Sequence, residues 1–256
     1  VRTTARYTFA LLLAAFVAAL GTSLAPAASG TSSAPRSFSR GDVTVTRIAD
    51  GVWVVTSWAL YDGVRTPANG LLVTTGAGTV LVDTPWNDAN TSTLLALAKR
   101  VSPRPVKLAL ITHTHPDRIG GIRTLLRRHI RVWSTKKTAD LAAAAGYPRP
   151  APKLKAVSTS IRFGSTTLVS YFPGEGHSVD NIVVWLPATR VLFAGCLVKE
   201  KAATSIGNTA DANLKQWPAT LRRLEAKFPQ ARIVVPGHGR WGDRSLIEHT
   251  LALLGA

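Results

Sequence analysis

One cysteine in 256 residues leaves no internal disulfide. Cys196 is therefore a buried small hydrophobe, a link to another chain or a working thiolate. Acidic residues are scarce as well, 14 against 31 lysines and arginines, for a formal charge of +17. Such a surplus marks a nucleic-acid binder where the cations cluster. Here the clusters are short: Arg123, Arg127 and Arg128, then Arg131, Lys136 and Lys137, then Arg222 and Arg223, each beside apolar residues. Solvated helix faces account for them, and no nucleic-acid partner is expected. A basic surface still attracts anionic small molecules and the anionic faces of a cell envelope.

No apolar run reaches membrane-spanning length either. Phe9 to Leu20 covers about a dozen residues, against the ~20 a spanning helix needs. Arg2 and Arg6 precede this run and small residues follow through Ala25, Pro26, Ala27 and Ala28, the plan of a secretory signal peptide. No twin arginine precedes the run and no cysteine follows it, which speaks against twin-arginine export and a lipidated N-terminus. The expected organisation is a signal over residues 1–28, a flexible leader over 29–40 and one domain over 41–256. The product is then periplasmic or extracellular, monomeric, and without a stable membrane anchor after cleavage.

With 46% hydrophobic residues, that domain can bury a large core. Val43 to Ala49 and Val52 to Trp58 flank Asp50-Gly51 and predict a hairpin; Gly70 to Thr74 and Thr79 to Asp83 predict a second. Asn90 to Val101 carries apolar residues at helical spacing, with Asn90 or Thr91 as its cap. Val106 to Thr112 reads as a strand, and Gly120 to Arg128 and Ala139 to Ala145 as helices. Strands return at Ile161 to Phe163, Thr167 to Phe172, Ile182 to Leu186 and Val191 to Phe193. A helix over Asp211 to Phe228 and a strand over Arg232 to Val235 follow. Two strand-rich stretches, each followed by helices, predict an α/β fold of two packed sheets with helices outside, a four-layer αββα sandwich.

Chemistry concentrates where strands end. In Thr112-His113-Thr114-His115-Pro116-Asp117, extended residues two apart point the same way, so His113, His115 and Asp117 converge. His177, Cys196 and His238 occupy Gly-flanked positions after later strands. Imidazole and thiolate suit zinc, and six ligands exceed one tetrahedral ion, so they divide into two sets of three, each completed by water. Gly120 and Gly121 let the following backbone pass closely. His129 and His249, in helical stretches, are read as structural.

The segments His113-Thr-His-Pro-Asp-Arg-Ile-Gly-Gly121, Gly176-His177-Ser-Val-Asp-Asn181, Gly195-Cys196-Leu-Val-Lys199 and Pro236-Gly-His238-Gly239 together closely resemble the class B metallo-β-lactamases. The resemblance runs from about Val43 to the C-terminus, and includes Val82-Asp83-Thr84-Pro85-Trp86 and Gly207-Asn208. It implies the four-layer sandwich and two Zn²⁺ ions, one on His113, His115 and His177 and one on Asp117, Cys196 and His238. It also implies that a hydroxide held by the zinc opens the β-lactam ring of penicillins, cephalosporins and carbapenems, conferring antibiotic resistance. Related lactonases, thioesterases and nucleases usually carry histidine after the aspartate and a bridging carboxylate in place of the cysteine. Arg118 and Cys196 depart from that pattern.

The same resemblance implies individual roles. Asp117 orients the nucleophile as well as binding metal. Lys199 binds the carboxylate of the β-lactam, and Asn208 donates to the developing oxyanion, a contact worth ~3 kcal/mol where it operates. Asp83, behind the ligands, orients a metal-bound histidine. Arg118 lies near Cys196, where its charge favours the thiolate unless a structural carboxylate takes it. Trp58, Tyr61 and Trp86 are candidates for an apolar wall, and Trp58 to Pro67 for a flap loop over the site.

Overall fold

Strand after strand, apolar side chains alternate between two cores. The computed structural model describes Val1 and residues 36–256, so the expected signal segment lies outside the described residues. β1 (Ser37–Arg40), β2 (Val43–Ala49), β3 (Val52–Tyr61), β4 (Val64–Thr75), β5 (Gly78–Val82), β6 (Val106–Leu110), β7 (Arg131–Thr135) and β8 (Ala151–Leu154) form one sheet in chain order. β9 (Ser158–Phe163), β10 (Thr166–Tyr171), β11 (Val183–Leu186), β12 (Val191–Gly195) and β13 (Ile233–Pro236) form a second, again in chain order.

Trp53, Val55, Leu81 and Ala109 face an outer core; Val52, Val54, Val80, Val82, Leu108 and Leu110 face the second sheet. The period of two sorts them. On β11 and β12, Val184, Leu186, Val191 and Phe193 face inward, and Val183, Trp185, Leu192 and Ala194 face outward. Strands buried on both faces read as near-continuous apolar runs.

Helices cover both outer faces. α1 (Asp88–Val101), α2 (Pro116–Ile119), α3 (Ile122–Arg127) and α4 (Lys136–Ala144) belong to the first sheet's side. α5 (Trp217–Lys227) and α6 (Ser245–Leu253) cover the second, with Leu221, Leu224, Leu246 and Ile247 buried against it. The result is the four-layer αββα sandwich. Among the described residues, no helix is long and apolar enough to cross a membrane.

The details correct several expectations. The leader does not extend to Arg40, because Ser37–Arg40 pairs with β2, its Ser37 and Ser39 hydroxyls meeting those of Thr46 and Thr44. The expected flap loop is a β-hairpin: β3 and β4 pair from Val52↔Val73 out to Tyr61↔Val64 and turn at Asp62-Gly63, both in left-handed conformation. α1 starts at Asp88, capped by Asn87, whose side chain accepts from the Asn90 amide. The expected helix over 120–128 is α3, which starts only at Ile122 and is parted by Gly120-Gly121 from the separate short α2 before it. α5 begins only at Trp217, so Asp211 and Asn213 lie on a loop. β7 and β8 were not predicted.

Candidate metal centre

All six predicted ligands come from backbone that has just left a sheet at one edge of the sandwich. His113 and His115 follow β6, Asp117 opens α2, His177 follows β10, Cys196 follows β12 and His238 follows β13. Three groups of them bring their ligand atoms within 4.8 Å of one another: His113, His115 and Asp117; His113, His177 and Cys196; and Asp117, Cys196 and His238. Since the groups share members, the six form one continuous cluster.

The three imidazoles of His113, His115 and His177 stand edge to face, with centroids 4.7, 4.9 and 5.2 Å apart. Nδ1 of His115 faces Nε2 of His177 at 3.1 Å. Nε2 of His113 is buried without a hydrogen-bond partner. Burial, then the neighbouring imidazoles, pushes His113 well below the ordinary histidine range; burial, then Lys199 and His115, does the same for His177. The neutral rings of His113 and His177, His113 with an unengaged Nε2 in a buried cluster, fit a metal ion.

Beside them, Cys196 Sγ lies 3.4 Å from His238 Nε2 and 3.6 Å from Asp117 Oδ2, and His238 Nε2 lies 3.3 Å from that same oxygen. His238 Nδ1 bonds the Pro67 carbonyl at 2.5 Å, which turns Nε2 into the cluster. Burial opposes ionisation of Asp117, but the Arg118 guanidinium, followed by His238, holds its carboxyl well below the usual range. Burial pushes the Cys196 thiol up to about 12 despite Arg118. A carboxylate, a thiol that gives up its proton on ligation and an imidazole also fit a metal.

Arg118 is fully buried and binds four groups. It donates to Asp117 at 2.7 Å, to the Gly237 carbonyl at 2.7 Å and to the Asn69 carbonyl, and lies 3.5 Å from Asp83. Its carboxylate partners are thus Asp117 and Asp83, and its effect on Cys196 is through space. Asp83 reaches a ligand ring only through Thr112. It accepts from the Thr112 amide and hydroxyl, both at 2.8 Å, and that hydroxyl lies 3.2 Å from His113 Nδ1, so Asp83 orients His113 through Thr112.

Glycine is required where backbones meet. A Cβ on Gly237 would lie 2.5 Å from Cys196 Sγ, and one on Gly120 2.0 Å from the Trp86 carbonyl. Asn69, unremarked in the sequence, is buried and donates to the Pro236 and Gly239 carbonyls at 3.0 and 2.7 Å, bracing the turn that carries His238. Asp211, also missed, lies 3.0 Å from His115 Nε2. Asp180 accepts from the Thr114 amide and hydroxyl, clamping the first ligand loop to the His177 loop.

His115, Asp117, His177 and His238 of the cluster line a cleft of about 510 Å³, with His113 and Cys196 behind them. Tyr61, Trp86, Tyr147, Lys199 and Asn208 line it. The rings of Tyr61 and Trp86 lie 5.5 Å apart and both line the cleft. Trp58 does not line it; Arg65 covers its ring at 4.6 Å. Lys199 Nζ sits 5.4 Å from the Trp217 ring, and burial lowers its pKa. Asn208 donates from Nδ2 to the Tyr61 hydroxyl at 3.3 Å and accepts the Ala210 amide on Oδ1. His129, in a left-handed turn after α3, and His249, bonded to the Ala203 carbonyl at 2.9 Å, lie outside the cluster.

A two-sheet sandwich with buried His, Asp and Cys groups at one edge defines a metallohydrolase architecture. Residues 63–238 match the family model of the metallo-β-lactamase superfamily, and the chain belongs to that family. It is 41% identical over 214 residues to the metallo-β-lactamase type 2 of Bacillus cereus, covering 84% of this chain and 83% of that protein. It is 40% identical over 210 residues to the metallo-β-lactamase type 2 of Bacteroides fragilis, covering 82% and 84%. The solved structure of a metallo-β-lactamase from Pontibacter korlensis superposes with a TM-score of 0.79 at 44% identity, covering 83% of this chain and 99% of that one.

Proposed function

We propose that this chain is an exported, monomeric zinc hydrolase that opens the ring of penicillins, cephalosporins and carbapenems and so confers antibiotic resistance. One observation carries the reading: three mutually packed imidazoles and an Asp-Cys-His group abut beneath a single cleft, lined by His115, Asp117, His177 and His238, that also holds a lysine. In this reading His113, His115 and His177 hold one zinc and Asp117, Cys196 and His238 a second. Zinc so held lowers the pKa of water to ~7 and polarises a carbonyl.

The chain's own residues do the rest. Lys199, the cleft-lining ammonium, receives the substrate carboxylate, whose charge offsets the desolvation that lowers its pKa. Asn208 exchanges its Tyr61 partner for the lactam oxygen as negative charge grows there. Asp117, kept ionised by Arg118, orients the attacking water. Tyr61 and Trp86 hold the substrate's apolar face and exclude bulk water. Asp211 and Asp83 fix the orientation of His115 and His113.

Export rests on residues 1–28 as a cleaved signal, with a leader that ends before β1. The test is turnover of a β-lactam panel by zinc-supplemented protein, beside generic ester substrates. Hydrolysis of several β-lactam classes, with Lys199→Ala raising KM more than it lowers kcat, is expected. Ester turnover alone, with zinc bound, refutes the substrate assignment.

A further inference from the structure

A second cleft, of about 430 Å³, lies at the C-terminal end of α1 and shares no residue with the metal cleft. Its volume is within the range of small-molecule sites. Leu95, Ala98, Val106 and Ile130 form its floor. These belong to the outer core of the first sheet, and among its buried residues they are the four with the highest exposure, at 9%, 6%, 7% and 7%. The remaining members, down to the 5% of Trp53, are more completely covered. A thin edge of the buried outer core thus faces this cleft.

Around the apolar floor stand Lys99, Arg104 and Arg128, and no acidic side chain lines the cleft. None of the three pairs with a carboxylate among the described residues, whereas Arg47, Arg65, Arg127, Arg149 and Arg244 each do. Arg104 is also rigidly presented. It sits between Pro103 and Pro105, its amide donates to Ser102 Oγ at 3.1 Å, and its carbonyl accepts from Thr79 Oγ1 at 3.1 Å. The Thr79 amide ties down Pro105 at 2.9 Å. Prolines on both sides fix the turn, so little backbone freedom is lost on binding.

We propose that this cleft binds an anionic amphiphile: an aliphatic chain laid on Leu95, Ala98, Val106 and Ile130, its anionic head on Arg104, Arg128 and Lys99. Covering the apolar floor and pairing the cations are both satisfied by that ligand, and by no purely apolar or cationic one.

The test uses zinc-loaded protein and dodecanoate below its micelle concentration, with dodecyltrimethylammonium as the cation of equal chain length. Calorimetry is expected to give saturable, one-to-one dodecanoate binding, none for the cation, and about tenfold or greater weakening in Arg104→Glu/Arg128→Glu. Lys199→Ala is expected to leave dodecanoate binding intact, which separates this cleft from the metal cleft. A second arm uses vesicles with and without phosphatidylglycerol. Binding that requires the anionic lipid and falls in the double variant assigns the head to a membrane lipid; binding of dodecanoate alone assigns it to a free amphiphile. Absence of saturable binding on both arms, equal binding by the double variant, or loss of binding in Lys199→Ala overturns the proposal.

Discussion

Arg118 donates from Nη2 to Asp117 Oδ2 at 2.7 Å, with the guanidinium fully buried and the carboxylate almost so. Breaking a buried pair by removing one partner costs about 3–5 kcal/mol, because the other charge is left uncompensated. Arg118→Met is therefore expected to destabilise the metal-free protein by about that amount, the Asn69 and Gly237 carbonyls also losing their donor. Zinc beside Asp117 supplies the missing positive charge, so the deficit shrinks in the loaded protein. Urea unfolding with and without chelator measures both; an equal deficit in the two states contradicts this account.

The carboxyl of Asp83 titrates higher, for the opposite reason. Burial pushes its pKa from 3.8 to about 7, with Arg118 and Thr112 only partly opposing. A carboxyl whose folded pKa is raised binds a proton in the folded state that the unfolded chain has lost. Its contribution is fully present below the unfolded pKa and is lost as pH rises towards the folded one. The metal-free protein is expected to lose stability between about pH 4 and pH 7 from this group, and Asp83→Asn to flatten that slope. Denaturant midpoints across the window check it; an unchanged slope in the variant is the contrary result.

Metal binding is expected to release the Cys196 proton. With the thiol pushed up to about 12, the metal-free protein carries it protonated at neutral pH. Apparent affinity for the second ion then rises about tenfold per pH unit, and zinc titration in buffers of different ionisation enthalpy registers roughly one proton released. An affinity independent of pH places a thiolate there before the metal arrives.

Asp211 acts through His115. Loss of the carboxylate at 3.0 Å from Nε2 leaves the ring free to rotate. Partners of this kind change metal affinity about 10–100-fold. Asp211→Ala is expected to weaken zinc binding at the three-imidazole group within that range while the unfolding midpoint of the metal-free protein stays within error, since Asp211 is exposed. Competition with a chromophoric chelator reads the first quantity, and unaltered affinity removes Asp211 from the site.

Much of the site was legible because its chemistry sits in short local motifs. His113, His115 and Asp117 lie within one pentapeptide, and His177, Cys196 and His238 each stand beside a glycine where a strand ends. The unread parts depend on distant partners. Asn69 is an ordinary strand residue until the chain brings Pro236 and Gly239 to its amide, 167 and 170 positions away. Asp211 reads as the start of a helix until the loop delivers it to His115. The β3–β4 hairpin was hidden by Pro67, which argues against a strand by itself. Its pairing with Trp58 is set by the ladder on either side. Ser37–Arg40 has a single apolar residue, too few for a strand pattern, and gains its order from Phe38 stacking on Trp53 at 6.0 Å and from hydroxyl pairs with β2.

The most direct test of the central claim is carbapenem hydrolysis by wild type and Cys196→Ser with zinc content measured on the same samples. The account predicts two zinc ions and turnover in wild type, and in the variant loss of zinc from the Asp117–His238 group with a fall in kcat of about 100-fold. Full hydrolysis by a variant that has lost that zinc, or none by wild type with both ions bound, contradicts it.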